Sequence, residues 1–269
     1  TSPAGRGHTA CVEWLTRLLV ELGFTVRELG ADLGRPLLVA HRPARGLEGH
    51  VCLYGHYDVT PFGPAAKWTH PPRQLTVADG RLFARGVADN KGPLACRLAA
   101  LTRLPETPEL TWFIQGEEET GSVVAHALLP DLMRTLRPTL WLDETGYHDH
   151  EDGTLRLLGR RMGEGDASLP PDPPLTLLLR ALWGLASRWG VAARHELRGL
   201  NKSVVEGGCP FNRSLPLGAR YLAIGVNDSV AHIHGLNESL PEWTFGMHVD
   251  ELDVVFRWVD HLERSASCS

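Results

Sequence analysis

Residues 109–122 read ELTWFIQGEEETGS: an apolar run closed by Gly116, then three consecutive glutamates, Glu117, Glu118 and Glu119. Short apolar runs bounded by glycine read as strands buried on both faces. Neighbouring carboxylates repel, and they are rarely buried without a partner. A strand ending in three of them is therefore either a solvated turn or the seat of a cation. The rest of the chain decides between the two, and the fold is decided with it.

On the N-terminal side, residues 9–23 carry Val12, Leu15, Leu18, Leu19 and Leu22 at helical spacing, stopped by Gly23. TVREL (25–29), PLLVAHR (36–42) and HVCLYGH (50–56) read as strands, and Leu94, Leu98 and Leu101 mark a second helix. On the C-terminal side come a helix over 122–136 and a strand, TLWL (139–142). Residues 145–174 are rich in Gly, Pro and charge around one short strand, TLRLL (154–158), and read as a surface excursion. The pattern then resumes with a helix over 175–189, strands VAARHEL (191–197) and GARYLAIGV (218–226), and a closing helix near 250–264. Strands alternating with helices predict an α/β protein, a three-layer α/β/α sandwich around a mostly parallel sheet. One continuous domain over 1–269 is the simplest organisation.

Bulk properties narrow the function. The chain has 269 residues, 43% of them hydrophobic and 22% charged, with a net charge of −5. A general nucleic-acid binder carries a basic excess instead. No apolar run approaches the ~18 residues that a membrane span needs, and TSPAGRGHTA lacks the order of a secretory leader. Cys11, Cys52, Cys96, Cys209 and Cys268 show no paired spacing, which fits a reducing cytoplasm. The chain opens almost directly on its first helix, so an upstream element is expected.

Ligands of open α/β sheets lie beyond the carboxyl ends of the strands. Several apolar runs here finish in a metal-ligating side chain: His56 and Asp58 after VCLYG, Asp89 after FARGVA, the three glutamates after LTWFIQG, Asp143 and Glu144 after TLWL. NDSVAHIHGLNE adds His232, His234 and Glu238. His, Asp and Glu without cysteine make the ligand set of a hydrolytic zinc site. The number of carboxylates suits two metal ions, which together act on water and on a carbonyl.

These stretches resemble the M20 family of zinc peptidases and deacylases. YGHYDVTPFGPAAKWTHPP (54–72), DGRLFARGVADNKGP (79–93), FIQGEEETGS (113–122) and HGLNE (234–238) carry the likeness in order and spacing over nearly the whole chain. The wording agrees best with the carnosinase and non-specific dipeptidase branch. The resemblance implies a di-zinc amide hydrolase in which His56 binds one zinc, Asp58 orients that imidazole, and Asp89 bridges both ions. It makes Glu117 the base that activates water and Glu118 a ligand of the second zinc. Asp143 is the preferred match for the remaining carboxylate ligand, with Glu144 its rival, and His234 matches the last histidine. VVEGGCP (204–210) resembles the family's Gly-Gly loop near the substrate carboxylate, through Gly207 and Gly208. Two zinc ions per chain are implied, though an oxygen-rich site also suits manganese or cobalt.

Family members usually insert a lid domain after the equivalent of Asp143, and here that place holds only 145–174. The lid's oxyanion-binding histidine and carboxylate-binding arginine have no obvious match; His148, His150 and Arg213 are the candidates. A lid-less site should be open. The expected substrate is a small peptide or N-acyl amino acid, or a bulkier natural-product or carrier-protein-bound version of one. With the usual dimerisation surface gone, a monomer is expected. The alternative, from another class, is a catalytically inactive metal-binding module that serves interactions.

Overall fold

A computed structural model of the chain describes residues 7–144, 146–149, 151–164, 168–195 and 210–267. Helix α1 (His8–Glu21) buries Val12, Leu15 and Leu19, the stripe that the spacing predicts. It ends at Gly23, whose φ of 86° a side chain would resist.

Strands β1 (Thr25–Leu29), β2 (Leu37–Arg42) and β3 (Gly46–His56) follow, then the short β4 (Thr76–Ala78) and β5 (Arg81–Phe83). Helix α2 (Lys91–Arg103), β6 (Thr107–Gln115), helix α3 (Val123–Arg134) and β7 (Leu140–Leu142) complete the first half. The second half contains β8 (Tyr147–His148), β9 (Leu155–Met162), β10 (Ser168–Leu169), helix α4 (Pro173–Arg188), β11 (Ala193–His195) and helix α5 (Pro210–Ser214). It closes with β12 (Arg220–Ala223), β13 (Ser239–Pro241) and helix α6 (Trp243–Ser267).

The main sheet runs β1-β2-β6-β3-β7-β12-β9-β10, with β8 and β11 also paired to β9. Its centre, β6-β3-β7-β12, is parallel, and antiparallel strands flank it on both sides. Successive side chains of a strand point to opposite faces, and the central strands divide their apolar residues accordingly. Val51, Leu53, Trp112, Leu140, Leu142 and Leu222 pack with the inner faces of α1, α2, α4 and α6. Cys52, Tyr54, Phe113, Trp141 and Tyr221 pack with α3 and α5 on the other side. This is the expected three-layer α/β/α sandwich.

Two expectations about local structure change. Segment 145–174 is more than a surface excursion, because β9 is eight residues long, mostly buried, and paired antiparallel with β12 in the main sheet. Its arginines disguise it: Arg160 is buried with its guanidinium 4.4 Å from the centre of the Tyr221 ring. Helix α6 also starts earlier than expected, at Trp243, because its first turns bury the polar Thr244 and His248.

From β3 the chain passes through α2 on one face to β6, then through α3 on the other face to β7 on β3's opposite side. The connections therefore diverge beside the carboxyl end of β3, where α/β sheets leave a crevice for ligands. His56 is the last residue of that strand. A second, small sheet, β13-β5-β4, joins the segment before Asp89 to the segment after His234. No described helix is long and apolar enough to cross a membrane.

Candidate metal centre

Asp89 lies between His56, at the end of β3, and His234. Its Oδ1 is 2.8 Å from Nε2 of His56, and its Oδ2 is 3.1 Å from Nε2 of His234. Glu119 reaches the same His234 nitrogen at 3.1 Å. Oε2 of Glu144 is 3.6 Å from Nε2 of His56. One carboxylate thus stands between two groups, His56 with Glu144 and His234 with Glu119. Ligand atoms of His56, Asp89 and Glu119 all lie within 4.8 Å of one another, close enough for a shared cation.

Each group arrives from a strand end. His56 ends β3, Glu118 and Glu119 form a short 3₁₀ turn after β6, Glu144 follows β7, and His234 lies in the loop after β12. Asp58 is wholly buried and fastens two of these segments together. Its Oδ1 is 3.2 Å from Nδ1 of His56, and its two oxygens accept the backbone N–H groups of Glu118 and Glu119, both at 3.1 Å. Asn90, wholly buried beside Asp89, accepts from the His56 N–H and donates to the Glu144 carbonyl.

The electrostatics follow from crowding acid and imidazole together. Burial opposes a charged His56, yet Glu144, Asp58 and Asp89 hold its pKa well above the ordinary value. His234 rises to about 10 on its bonds to Asp89 and Glu119. Burial would raise Asp89, but the two imidazoles keep it far below the usual carboxylate range. Glu118 is pushed up to about 7 by burial and, against the pull of His56, by the charges of Asp89, Glu119 and Asp58. Burial, chiefly, lifts Glu144 well above its ordinary value.

The donor set can be tested for fit to a cation. Oε2 of Glu144 is buried and accepts no hydrogen bond. A buried carboxylate oxygen without a partner is costly, and this one faces the cluster. Carboxylates and imidazoles with one unsatisfied oxygen suit a divalent zinc-like ion.

Two of the expected site residues turn away from the cluster. The Glu117 carboxylate turns away from the cluster: its oxygens accept from the Arg35 N–H at 3.1 Å and the Val124 N–H at 3.2 Å. Val124 lies in the first turn of α3, where unpaired N–H groups favour an acidic partner. Glu117 is a structural carboxylate, and Glu118 and Glu119 are the ones that face the site. Likewise, Asp143 is not the residue aimed at His56. Its Oδ2 accepts from the Tyr221 hydroxyl and its Oδ1 from the Glu144 N–H at 2.8 Å, which leaves Glu144 to face the cluster.

Gly207, Gly208 and His150 lie outside the described residues. His148 sits on β8, and Arg213 is exposed on α5 beside His126 of α3, whose pKa burial and then the Arg213 charge lower. His232 is exposed. Sequence reasoning missed Arg97, which is buried on α2 and donates to the carbonyls of Tyr54 (2.8 Å), Asp143 and Ile224 (3.4 Å). A lone arginine among Leu94, Leu98 and Leu101 was the available signal.

A model of peptidase family M20/M25/M40 matches residues 52–254. Over 119 residues the chain is 36% identical to a succinyl-diaminopimelate desuccinylase of Pseudoalteromonas atlantica (strain T6c / ATCC BAA-1087), covering 42% of this chain and 31% of that one. Over 99 residues it is 34% identical to Beta-Ala-His dipeptidase of Homo sapiens, covering 35% and 20%. The matched stretches thus span under a third of either relative. A metallo-carboxypeptidase of the same family from Sulfolobus solfataricus superposes with a TM-score of 0.72 at 14% identity, over 96% of this chain and 95% of that one. Human carnosine dipeptidase 1 superposes with a TM-score of 0.66 at 12% identity, over 95% and 92%. At such identities the likeness concerns the fold.

Proposed function

We propose that this chain, which belongs to peptidase family M20/M25/M40, hydrolyses the amide bond of a dipeptide, a peptide C-terminus or an N-acyl amino acid. The observation that carries the reading is Asp89 held between His56 and His234, with Glu119 and Glu144 on the two flanks. His56, Asp89 and Glu144 would hold one divalent cation, and Asp89, Glu119 and His234 a second. Zinc is the expected ion at both. Such ions, when bound, acidify water and polarise a carbonyl.

The chain's own residues supply the rest. Glu118 is the proposed general base: it takes a proton from the attacking water and returns it to the departing amine. Burial and the charges of Asp89, Glu119 and Asp58 raise its proton affinity, and a carboxylate so raised is better able to take up a proton and give it back. Asp58 keeps the Nδ1 proton of His56 in place, so that Nε2 presents its lone pair to the centre. The reading takes 1–269 as one catalytic unit. β8 and β10 each pair with β9, and a substrate side left open by that arrangement would suit a bulkier acyl group or a carrier-bound one.

Metal analysis of purified protein, followed by a hydrolysis panel of dipeptides, N-acyl amino acids and longer peptides, tests this reading. About two equivalents of zinc and turnover that a chelator abolishes are the expected results. Protein that takes up no cation, or that hydrolyses equally well after chelation, would exclude it.

A further inference from the structure

The geometry points to the buried Arg85–Glu238 ion pair as a positioning device that holds the Asp89 and His234 loops at a fixed spacing and so sets cation affinity on the His234 side. The inference rests on the metal-centre reading above. Arg85 and Glu238 meet at 2.5 Å, with side chains 4% and 1% exposed.

What distinguishes this pair is where its other bonds go. Glu238 Oε1 accepts from the N–H groups of Ala88 at 2.8 Å and of Asp89 itself at 3.0 Å, and its Oε2 accepts from Gly86 at 3.1 Å. The Arg85 guanidinium donates to the carbonyl of His234 itself at 3.2 Å, to Gly235 at 2.9 Å and to Pro61 at 3.3 Å. The indole of Trp68 lies 5.2 Å from the guanidinium and covers one face of it. A single ion pair therefore grips the backbone of both residues whose side chains meet at Asp89 Oδ2.

His234 needs such a grip. Its φ is 62°, a left-handed conformation that a residue with a side chain keeps only when its surroundings impose it. The imidazole is also half exposed, so packing does little to fix it. His56, by contrast, is wholly buried and already held by Asp58 and Asn90. Loss of the clamp should therefore fall unequally on the two sides.

A second ion pair on the same loop provides the comparison. Arg81 binds Asp228 through both guanidinium nitrogens at 2.6 and 3.0 Å, and its remaining bonds go to Ser239 and Val230, away from the ligand residues. Its loss should cost stability without touching the metal centre.

The test is cobalt(II) titration of the full chain, followed by visible absorption, for the parent, Glu238→Gln, Arg85→Lys, Arg81→Met and His234→Ala. Gln keeps the size of Glu238 but can accept through only one atom. Lys keeps the charge of Arg85 but has no fork to reach both loops. In both variants one of two cobalt equivalents should bind about 10–100-fold more weakly, and it should be the equivalent that His234→Ala loses. Arg81→Met should titrate as the parent does, even with a lower melting temperature. Cobalt affinities unchanged in Glu238→Gln and Arg85→Lys, or shifted equally at both sites, would overturn the clamp and leave the metal-centre reading intact. A parent that binds no cobalt would overturn both, and the parent titration alone shows it.

Discussion

The Nδ1 atom of His56 lies 3.2 Å from Oδ1 of Asp58, and neither side chain is exposed. The same carboxylate receives the N–H groups of Glu118 and Glu119. Asp58 thus ties the end of β3 to the turn after β6 and fixes which nitrogen of His56 is free for a ligand. Carboxylate partners of ligating histidines typically contribute 10–100-fold to metal affinity. Asp58→Asn should lose affinity in about that range while remaining folded, read by competition for zinc with a chromophoric chelator. Parent-like affinity in the variant would remove Asp58 from this role.

Glu117 and Glu118 are adjacent, yet they face different surroundings. Glu118→Gln should keep its metal and lose turnover by about 10²–10⁴-fold, the usual contribution of a general base. Glu117→Gln should keep turnover and lose about 1 kcal/mol of stability, since the amide still accepts from one of the two N–H groups that the carboxylate holds. Steady-state kinetics and thermal melts on both variants separate the two. A dead Glu117→Gln beside an active Glu118→Gln would reverse the assignment.

This pair also marks how far the sequence could be read. The layers were legible because β3, β6 and β7 are apolar on both faces and the helices show clean stripes. The order of His and acidic residues at strand ends was legible as well, and so was the crevice they share. What could not be read was direction: neighbouring residues leave a strand end on opposite sides, so an error of one position turns every carboxylate the wrong way. That is why the sequence favours Glu117 as base, Glu118 as ligand and Asp143 beside them, where each role falls one residue later, to Glu118, Glu119 and Glu144. Strands of three residues, such as β4, β5 and β13, are too short to show a period at all.

Arg97 carries a stability prediction of its own. Arg97→Met would fill the space but leave carbonyl oxygens of Tyr54, Asp143 and Ile224 without this donor. Burial already lowers the Arg97 pKa to about 10, so the site tolerates the charge only because these acceptors surround it. At about 1–3 kcal/mol for each buried group left unpaired, and allowing for the long Ile224 contact, a loss of roughly 2–4 kcal/mol is expected. That corresponds to a fall in melting temperature on the order of 5–15 °C. A variant that melts with the parent would show that water or the sheet satisfies these carbonyls.

Removing metal should destabilise the fold in a pH-dependent way. Asp89, Glu118, Glu119 and Glu144 crowd one pocket, and without a cation the charges that offset them among the described residues include His56, His234 and, for Glu144, the buried Arg97. Burial first, and then neighbouring charge, lifts Glu118 to about 7 and Glu144 well above its ordinary value. Their unfolded values stay near the usual ~4.3. Between these limits the metal-free native state binds more protons than the unfolded chain, so its stability is greatest at the acidic end and falls as pH rises towards 7. The raised pKa of His234, about 10, acts in the same direction. Bound zinc removes this penalty and adds about 2.7 kcal/mol at a hundredfold excess over Kd. Melting temperatures with and without chelator should therefore diverge more at pH 8 than at pH 5. A metal-free protein that became more stable on going from pH 5 to 8 would contradict the crowding that defines the site.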